Sequence, residues 1–360
     1  MRSLIGCLLA VCECLNGLSQ DGRESEQVKP ISAVVGLPKR IAFGSCAHQD
    51  KPQPVLKRAL EQAPDIFIYL GDNIYGDSRD MGVLREKYAK LASKPEFILL
   101  RKNIATLSIW DDHDYGENDA GKEYPFHRES RELFLDFWKV PKDSQRRTHE
   151  GIYGSHMFRS NNQSLQIILL DTRSFRSPLK RNPFIKSRNS EFKNDYQPDA
   201  DPTKTILGET QWKWLEEQLR APADVRIIAS SIQFAHEYNG YESWNNLPLE
   251  QQRMIETIRR TKASGVLFLS GDVHWAEISR RNFPDLYPLY DVTASGITET
   301  WYKIEPNSFR VGQPVPENHF GLLEFEWDAA IPNITLKIIN HNGETKCRER
   351  IDQAELRFEK

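Results

Sequence analysis

The chain reads as an α/β fold with a β-rich carboxyl-terminal part, on three observations. Short apolar runs alternate with segments that are apolar at helical spacing from Arg40 to Ser270. From Leu289 onward, strand-like runs follow one another without helical patterns between them. The runs of the first part stop at acids or at a cysteine, as expected where ligands meet the carboxyl ends of sheet strands.

The opening run is Arg40–Cys46, followed by a helical pattern over Pro54–Leu60. Asp65–Leu70 is the second run, and Val83, Leu84, Tyr88 and Leu91 space out a helix after it. Ile104–Trp110 is the third, before a helix carrying Leu133, Phe134, Phe137 and Trp138. Leu165–Leu170, Val225–Ala229 and Val266–Ser270 continue the series, with helices expected at Glu209–Arg220 and Leu249–Thr261. Leu289–Ala294, Gly321–Trp327 and Ile334–Ile339 are the late strands. No segment repeats and none is of low complexity.

The 360 residues carry 48 Lys+Arg against 51 Asp+Glu, a net charge of −3, so there is no polybasic platform for nucleic acid. No apolar run reaches the roughly 18 residues of a spanning helix. Five cysteines in so long a chain exclude a disulfide scaffold. Arg2, the apolar stretch Leu4–Leu15 and the small residues Gly17 and Ser19 read as a secretory signal over residues 1–19, although Glu13 interrupts it. Leu4-Ile5-Gly6-Cys7 fits a lipoprotein box locally but sits too early to leave an apolar region before it. Cleavage would remove Cys7, Cys12 and Cys14 and leave Cys46 and Cys347. Residues 20–38 read as a linker and 39–360 as a single domain, expected to be a monomer and secreted or periplasmic. Sequons stand at Asn162 and Asn333.

The acids at the run ends carry the chemistry. They are Asp72 after the second run, Asp111-Asp112-His113 after the third, Asp171 after the fourth and Asp272-Val273-His274 after the last. Brought to one sheet edge they would repel one another unless cations sat between them, which makes a polynuclear metal site the economical explanation. Cys46, Tyr75 and His274 offer thiolate, phenolate and imidazole, a set that suits a high-valent ion such as ferric iron. Asp112 and Asp272 make an oxygen environment for calcium or magnesium, with Asp72 placed to bridge. Cys46 alone reads equally as a buried structural cysteine. Asp111, one step from Asp112, points away if its neighbour points in, and is expected to support the ligands from behind, as is Asp171. Arg173 and Arg176 read either as cations holding Asp171 or as guanidinium contacts to a substrate phosphate.

Gly71-Asp72-Asn73-Ile74-Tyr75, Trp110-Asp111-Asp112-His113-Asp114-Tyr115-Gly116, Asp171-Thr172-Arg173-Ser174-Phe175-Arg176 and Ser270-Gly271-Asp272-Val273-His274 together resemble the PhoD-like alkaline phosphatases, a branch of the calcineurin-like metallophosphoesterases. The resemblance runs from about Lys39 to at least Gly296. It implies a four-layer αββα sandwich of two mixed sheets, with Fe3+ and Ca2+ in a dinuclear or larger cluster, other divalent metals being possible. It further implies Cys46, Tyr75 and His274 on iron, Asp72 bridging, and Asp112 and Asp272 on the calcium-type metal. His113 falls on the residue that stabilises the transition state or protonates the leaving group. Arg173 is a second catalytic candidate, and Arg173, Arg176 and Asn73 are candidates for contact with substrate. A further metal-binding His of the wider superfamily is missing: Ser230, Ser231, Gln233 and His236 are the residues near its place.

The function these features imply is hydrolysis of small phosphate mono- or diesters, by in-line attack of hydroxide held by the metals. The alternative is a catalytically silent module that binds phosphorylated glycans or phospholipids on the same fold. Trp244, Trp275 and Trp301 are candidates for the rim of the site or for packing.

Overall fold

The computed structural model describes residues 28–183, 192–329 and 332–358. In chain order its first half runs β1 (Arg40–Gly44), α1 (Val55–Glu61), β2 (Ile66–Leu70), α2 (Met81–Ala92), α3 (Pro95–Asn103), β3 (Ala105–Ile109), α4 (Asp112–Tyr115), α5 (His127–Phe137), β4 (Gly154–Ser160) and β5 (Gln163–Leu169). The second half runs α6 (Gly208–Arg220), β6 (Val225–Ala229), α7 (Pro248–Thr261), β7 (Val266–Ser270), β8 (Ala276–Phe283), β9 (Leu286–Ala294), β10 (Arg310–Val315), β11 (His319–Glu326), β12 (Asn333–Asn340) and β13 (Thr345–Asp352).

Two mixed sheets result, one of six strands in the order β13-β12-β11-β1-β2-β3 and one of seven in the order β10-β8-β9-β7-β6-β5-β4. Strands β1, β2 and β3 run parallel in the first sheet, and β5, β6, β7 and β9 run parallel in the second. Their apolar runs are buried on both faces, because helices lie outside and the other sheet lies inside. Helices α1, α2, α3 and α5 cover the first sheet and α6 and α7 the second, giving the expected four-layer sandwich around one continuous core. The late strands complete the first sheet, since β11 pairs with β1 antiparallel from Arg40↔Glu324 to Phe43↔Gly321.

Several elements lie where no run was expected. Strand β13 (Thr345–Asp352) is a sheet edge in which buried Cys347 and Ile351 alternate with charged residues, a pattern that protects an edge and hides a strand. Residues 28–38, expected as linker, lie along the domain: Lys29 N donates to Arg101 O at 2.9 Å, and Ile31 and Val34 pack on the core. The signal over residues 1–19 and the first part of the linker lie outside the described residues. Asn162 is exposed in the β4–β5 turn, whereas Asn333 is buried in β12 and bonded to Glu326, so only the first sequon is accessible.

Candidate metal centre

The two sheets present the carboxyl ends of β1, β2, β3, β6 and β7 to one cavity. Direct hydrogen bonds stitch these ends together: Ser45 N to Ala294 O at 3.0 Å, and Gly271 N to Ser231 O at 2.9 Å. Gly71 (φ +104) turns the chain out of β2, and a side chain there would strike Asp111 Cβ at 2.5 Å, so the Gly-Asp step is obligatory at this approach.

Three overlapping donor groups converge, with the ligand atoms of each within 4.8 Å of one another. They are Cys46 with Asp72 and His274; Asp72 with Asp112 and His113; and Asp72 with Asp111, Asp112 and Asp272. Asp72 belongs to all three. Cys46 Sγ lies 3.3 Å from Asp72 Oδ2, and Tyr75 Oη lies 3.1 Å from His274 Nε2. Cys46 and Cys347 are both free thiols and are not paired with each other.

The electrostatics fit bound cations. Burial, reinforced by Asp112, pushes the Asp72 carboxyl well above its usual range. Burial also raises Cys46, with Asp72 adding to it, and raises Tyr75 and Asp272. Asp72 Oδ1, Asp112 Oδ1 and Asp111 Oδ2 are buried without any hydrogen-bond partner. Unpaired buried acceptors of this kind are costly unless a cation meets them, and thiolate, phenolate, imidazole and carboxylate are all metal donors. The residues present therefore fit a cluster of metal ions.

His113 sits at the rim with Nδ1 2.7 Å from Asp77 Oδ1, which leaves Nε2 for the cavity. Although burial opposes the charge, Asp112, Asp72 and Asp77 push the imidazole up to about 11. Burial first, with His113 and Lys51 adding to it, moves His274 the other way, to about 4, toward the neutral form that ligates.

Arg173, Arg176 and Asn73 were expected to touch substrate, but they stand behind the cavity wall. Arg173 has no exposed surface: it pairs with Asp111 and reaches Glu242 Oε2 at 2.6 Å. Arg176 contacts the same Glu242 at 3.0 Å. The Asn73 amide donates to Ile109 O at 2.9 Å and to Asp114. Full burial and engagement by carboxylates or carbonyls make these three supports for the acidic cluster. Asp111 accepts from Ser231 Oγ at 2.6 Å and pairs with Arg173, while its carboxylate also belongs to the donor group with Asp72, Asp112 and Asp272. Asp171 ties Trp110 Nε1 (3.0 Å), Ile152 N and the Arg173 and Ser174 amides, and so fixes the β5 exit rather than any ligand.

None of Ser230, Ser231, Gln233 and His236 lines the cavity. Their polar atoms bond to Ile232 O, Asp111, Glu277 and the Tyr238 amide. The donor that arrives from this stretch of chain is Glu242, grouped with Asp112 and Asp119. Glu242, Asp119 and Asp77 were missed from sequence because each is a lone acid in a loop. Of the three tryptophans, Trp301 lines the mouth, while Trp244 and Trp275 are fully buried.

Residues 41–307, more than half of the chain, match the PhoD-like phosphatase family. Alkaline phosphatase D of Bacillus subtilis (strain 168) is 25% identical over 284 residues, covering 66% of this chain and 46% of that protein. The chain thus spans about half the length of the curated relative it matches. The structure of PhoD superposes with a TM-score of 0.66 at 18% identity, over 92% of this chain and 72% of that one. GAP50, the anchor in the inner membrane complex of Plasmodium, gives 0.55 at 13% identity over 90% of each chain. A dimetal phosphatase from Danio rerio gives 0.53 at 12% identity, over 88% of this chain and 100% of that one. At such identities the structural likeness speaks for the fold, and the match over residues 41–307 speaks for the family. The chain belongs to the PhoD-like phosphatases.

Proposed function

We propose that the chain is a metal-dependent hydrolase of phosphate mono- or diesters that transfers the phosphoryl group in line to water, without a covalent intermediate. The observation that carries this reading is Asp72 shared among three donor groups inside one cavity. Cys46, Asp72, Tyr75 and His274 would hold Fe3+, and Asp72, Asp112 and Asp272 would hold Ca2+ or a similar hard cation. Cations held by these residues would supply charge to neutralise phosphoryl oxygens and to lower the pKa of the attacking water. His113, oriented by Asp77, donates a proton to the departing oxygen. Arg173 holds Asp111 and Glu242 at fixed spacing, so that the carboxylates do not rearrange as charge changes on substrate. Export to the periplasm or medium is supported by the amino-terminal apolar stretch.

The test is metal analysis of purified protein together with turnover of nitrophenyl phosphate and its bis-ester, with and without a chelator. Inversion at a chiral phosphorus is the expected stereochemistry, and net retention would sink the direct in-line route. Bound metals with no turnover on either ester would favour the silent module instead.

A further inference from the structure

The outer wall of the cavity differs from the inner one. Of the thirteen described residues that line it, six are carboxylates, Asp72, Asp112, Asp119, Asp195, Glu242 and Asp272, and none of the thirteen is Lys or Arg. Three of these, Asp72, Asp112 and Asp272, face the proposed metals. Glu242 is already matched by Arg173 and Arg176, and Asp119 accepts from the Tyr196 hydroxyl at 2.6 Å. Asp195 has no hydrogen bond or ion pair to its carboxylate among the described residues, and it stands at the mouth.

Beside Asp195 the mouth is aromatic. Tyr241 and Trp301 meet with ring centroids 5.2 Å apart at 39°, an open corner rather than a stack. Trp301 is anchored to the metal side by its amide, which donates to His274 O at 2.8 Å, and its ring lies 6.1 Å from the His274 ring. Trp301 is also 40% exposed, so its indole is available to a ligand. Asp195, Tyr241 and Trp301 line the same cavity. Arg181 lies 5.2 Å over the neighbouring Tyr196 ring from outside the cavity, so this rim already holds one cation on an aromatic face. The cavity itself is about 220 Å³, so the group held inside its mouth is a compact one.

We infer that the preferred substrate is a small phosphoester whose leaving group carries an ammonium charge, held between the Tyr241–Trp301 corner and the Asp195 carboxylate. This rests on the phosphoesterase reading and names its substrate class. The reaction balances simply. Water supplies its oxygen to phosphorus, the bond from phosphorus to the alcohol oxygen breaks, and the ammonium alcohol leaves with a proton. Paired aromatic faces and a carboxylate are the groups that recognise such cations, and they act on charge rather than on shape.

The experiment uses the full metal-loaded protein and two isosteres, choline phosphate and 3,3-dimethylbutyl phosphate, which differ only by nitrogen for carbon. The expected kcat/KM for choline phosphate is about tenfold or more above that for the neutral ester, carried mainly by KM. Asp195→Asn and Trp301→Leu should each bring this ratio toward one. A ratio near one in the native protein, with both esters turned over, overturns the inference. So does turnover of nitrophenyl phosphate with neither isostere accepted. Calorimetric binding of choline against 3,3-dimethylbutanol separates this inference from the phosphoesterase reading, because it needs no turnover. Tighter binding of choline by a protein that hydrolyses nothing would sink the catalytic reading alone. Equal or absent binding sinks the cation site.

Discussion

Backbone strain gathers at the candidate ligands. Cys46, Asp72, Asp272 and His274 all have positive φ, at 59°, 50°, 72° and 62°, a region that L-residues rarely occupy. Such positions cost on the order of 1–3 kcal/mol each and persist where function needs them. Replacing Asp272 by Gly should relieve both that strain and the repulsion from Asp111 and Asp112. The apoprotein should therefore gain about 1 kcal/mol in urea denaturation under chelator, while losing metal affinity. A lower urea midpoint would show that Asp272 is not strained for a ligand. His113→Ala should keep its metals and lose about 10²–10⁴ of turnover. Asp77→Asn, acting through His113, should lose less. Its deficit should be larger for alkyl esters than for nitrophenyl phosphate, whose leaving group needs little protonation; equal deficits would argue against a role at the leaving group. At this scale the candidate ligands Cys46, Asp72, Asp112 and Asp272 were legible because each stands at or just past the end of an apolar run. Asp77, Asp119 and Glu242 were not legible, because an acid in a loop has no periodicity to mark where it points.

At the scale of the element, β1 (Arg40–Gly44) and β11 (His319–Glu326) position the cysteine. Phe43 lies across from Gly321, and a side chain at Gly321 would come within 2.1 Å of the Phe43 ring. The glycine is there to let the ring lie over the partner strand, two residues before Ser45 and three before Cys46. Gly321→Ala should therefore cost about 1–3 kcal/mol by overpacking and shift the end of β1. Its expected signature is a lower melting temperature together with reduced metal occupancy. Full occupancy with unchanged stability would mean that the ring can move aside. The parallel strands were legible from continuous apolar runs, for both faces are covered. Strands β4, β8, β10 and β13 were not, because they lie near or at sheet edges and mix charged with buried positions. Helix α3 (Pro95–Asn103) follows α2 after two residues, so its start at Pro95 was masked as a continuation of the first helix's surroundings.

For the whole molecule, the net charge of −3 hides a division between a carboxylate-rich cavity and histidines kept neutral in the interior. His156, His236 and His319 are each lowered to about 4, with burial as the main cause. An unfolded chain binds a proton at each near pH 6.5, whereas the folded chain resists until about pH 4. Stability from these groups is therefore complete above about pH 6.5 and falls as pH drops toward 4, because the unfolded state takes up protons first. His319 isolates the effect, since it has no exposed surface, its Nδ1 lies 2.7 Å from Glu317 O and its Nε2 has no partner. In His319→Gln a side-chain amide can still donate to that carbonyl but has no proton to gain. Between pH 6.5 and 4 the native protein should lose about 1.4 kcal/mol more per pH unit than the variant, the slope for one proton. Above pH 7 the gap between them should be constant. Urea denaturation across this range, at saturating metal so that the cavity carboxylates stay ionised in both proteins, measures the difference. A gap that does not narrow toward low pH would mean that His319 is protonated in the folded chain, with its charge met inside the core.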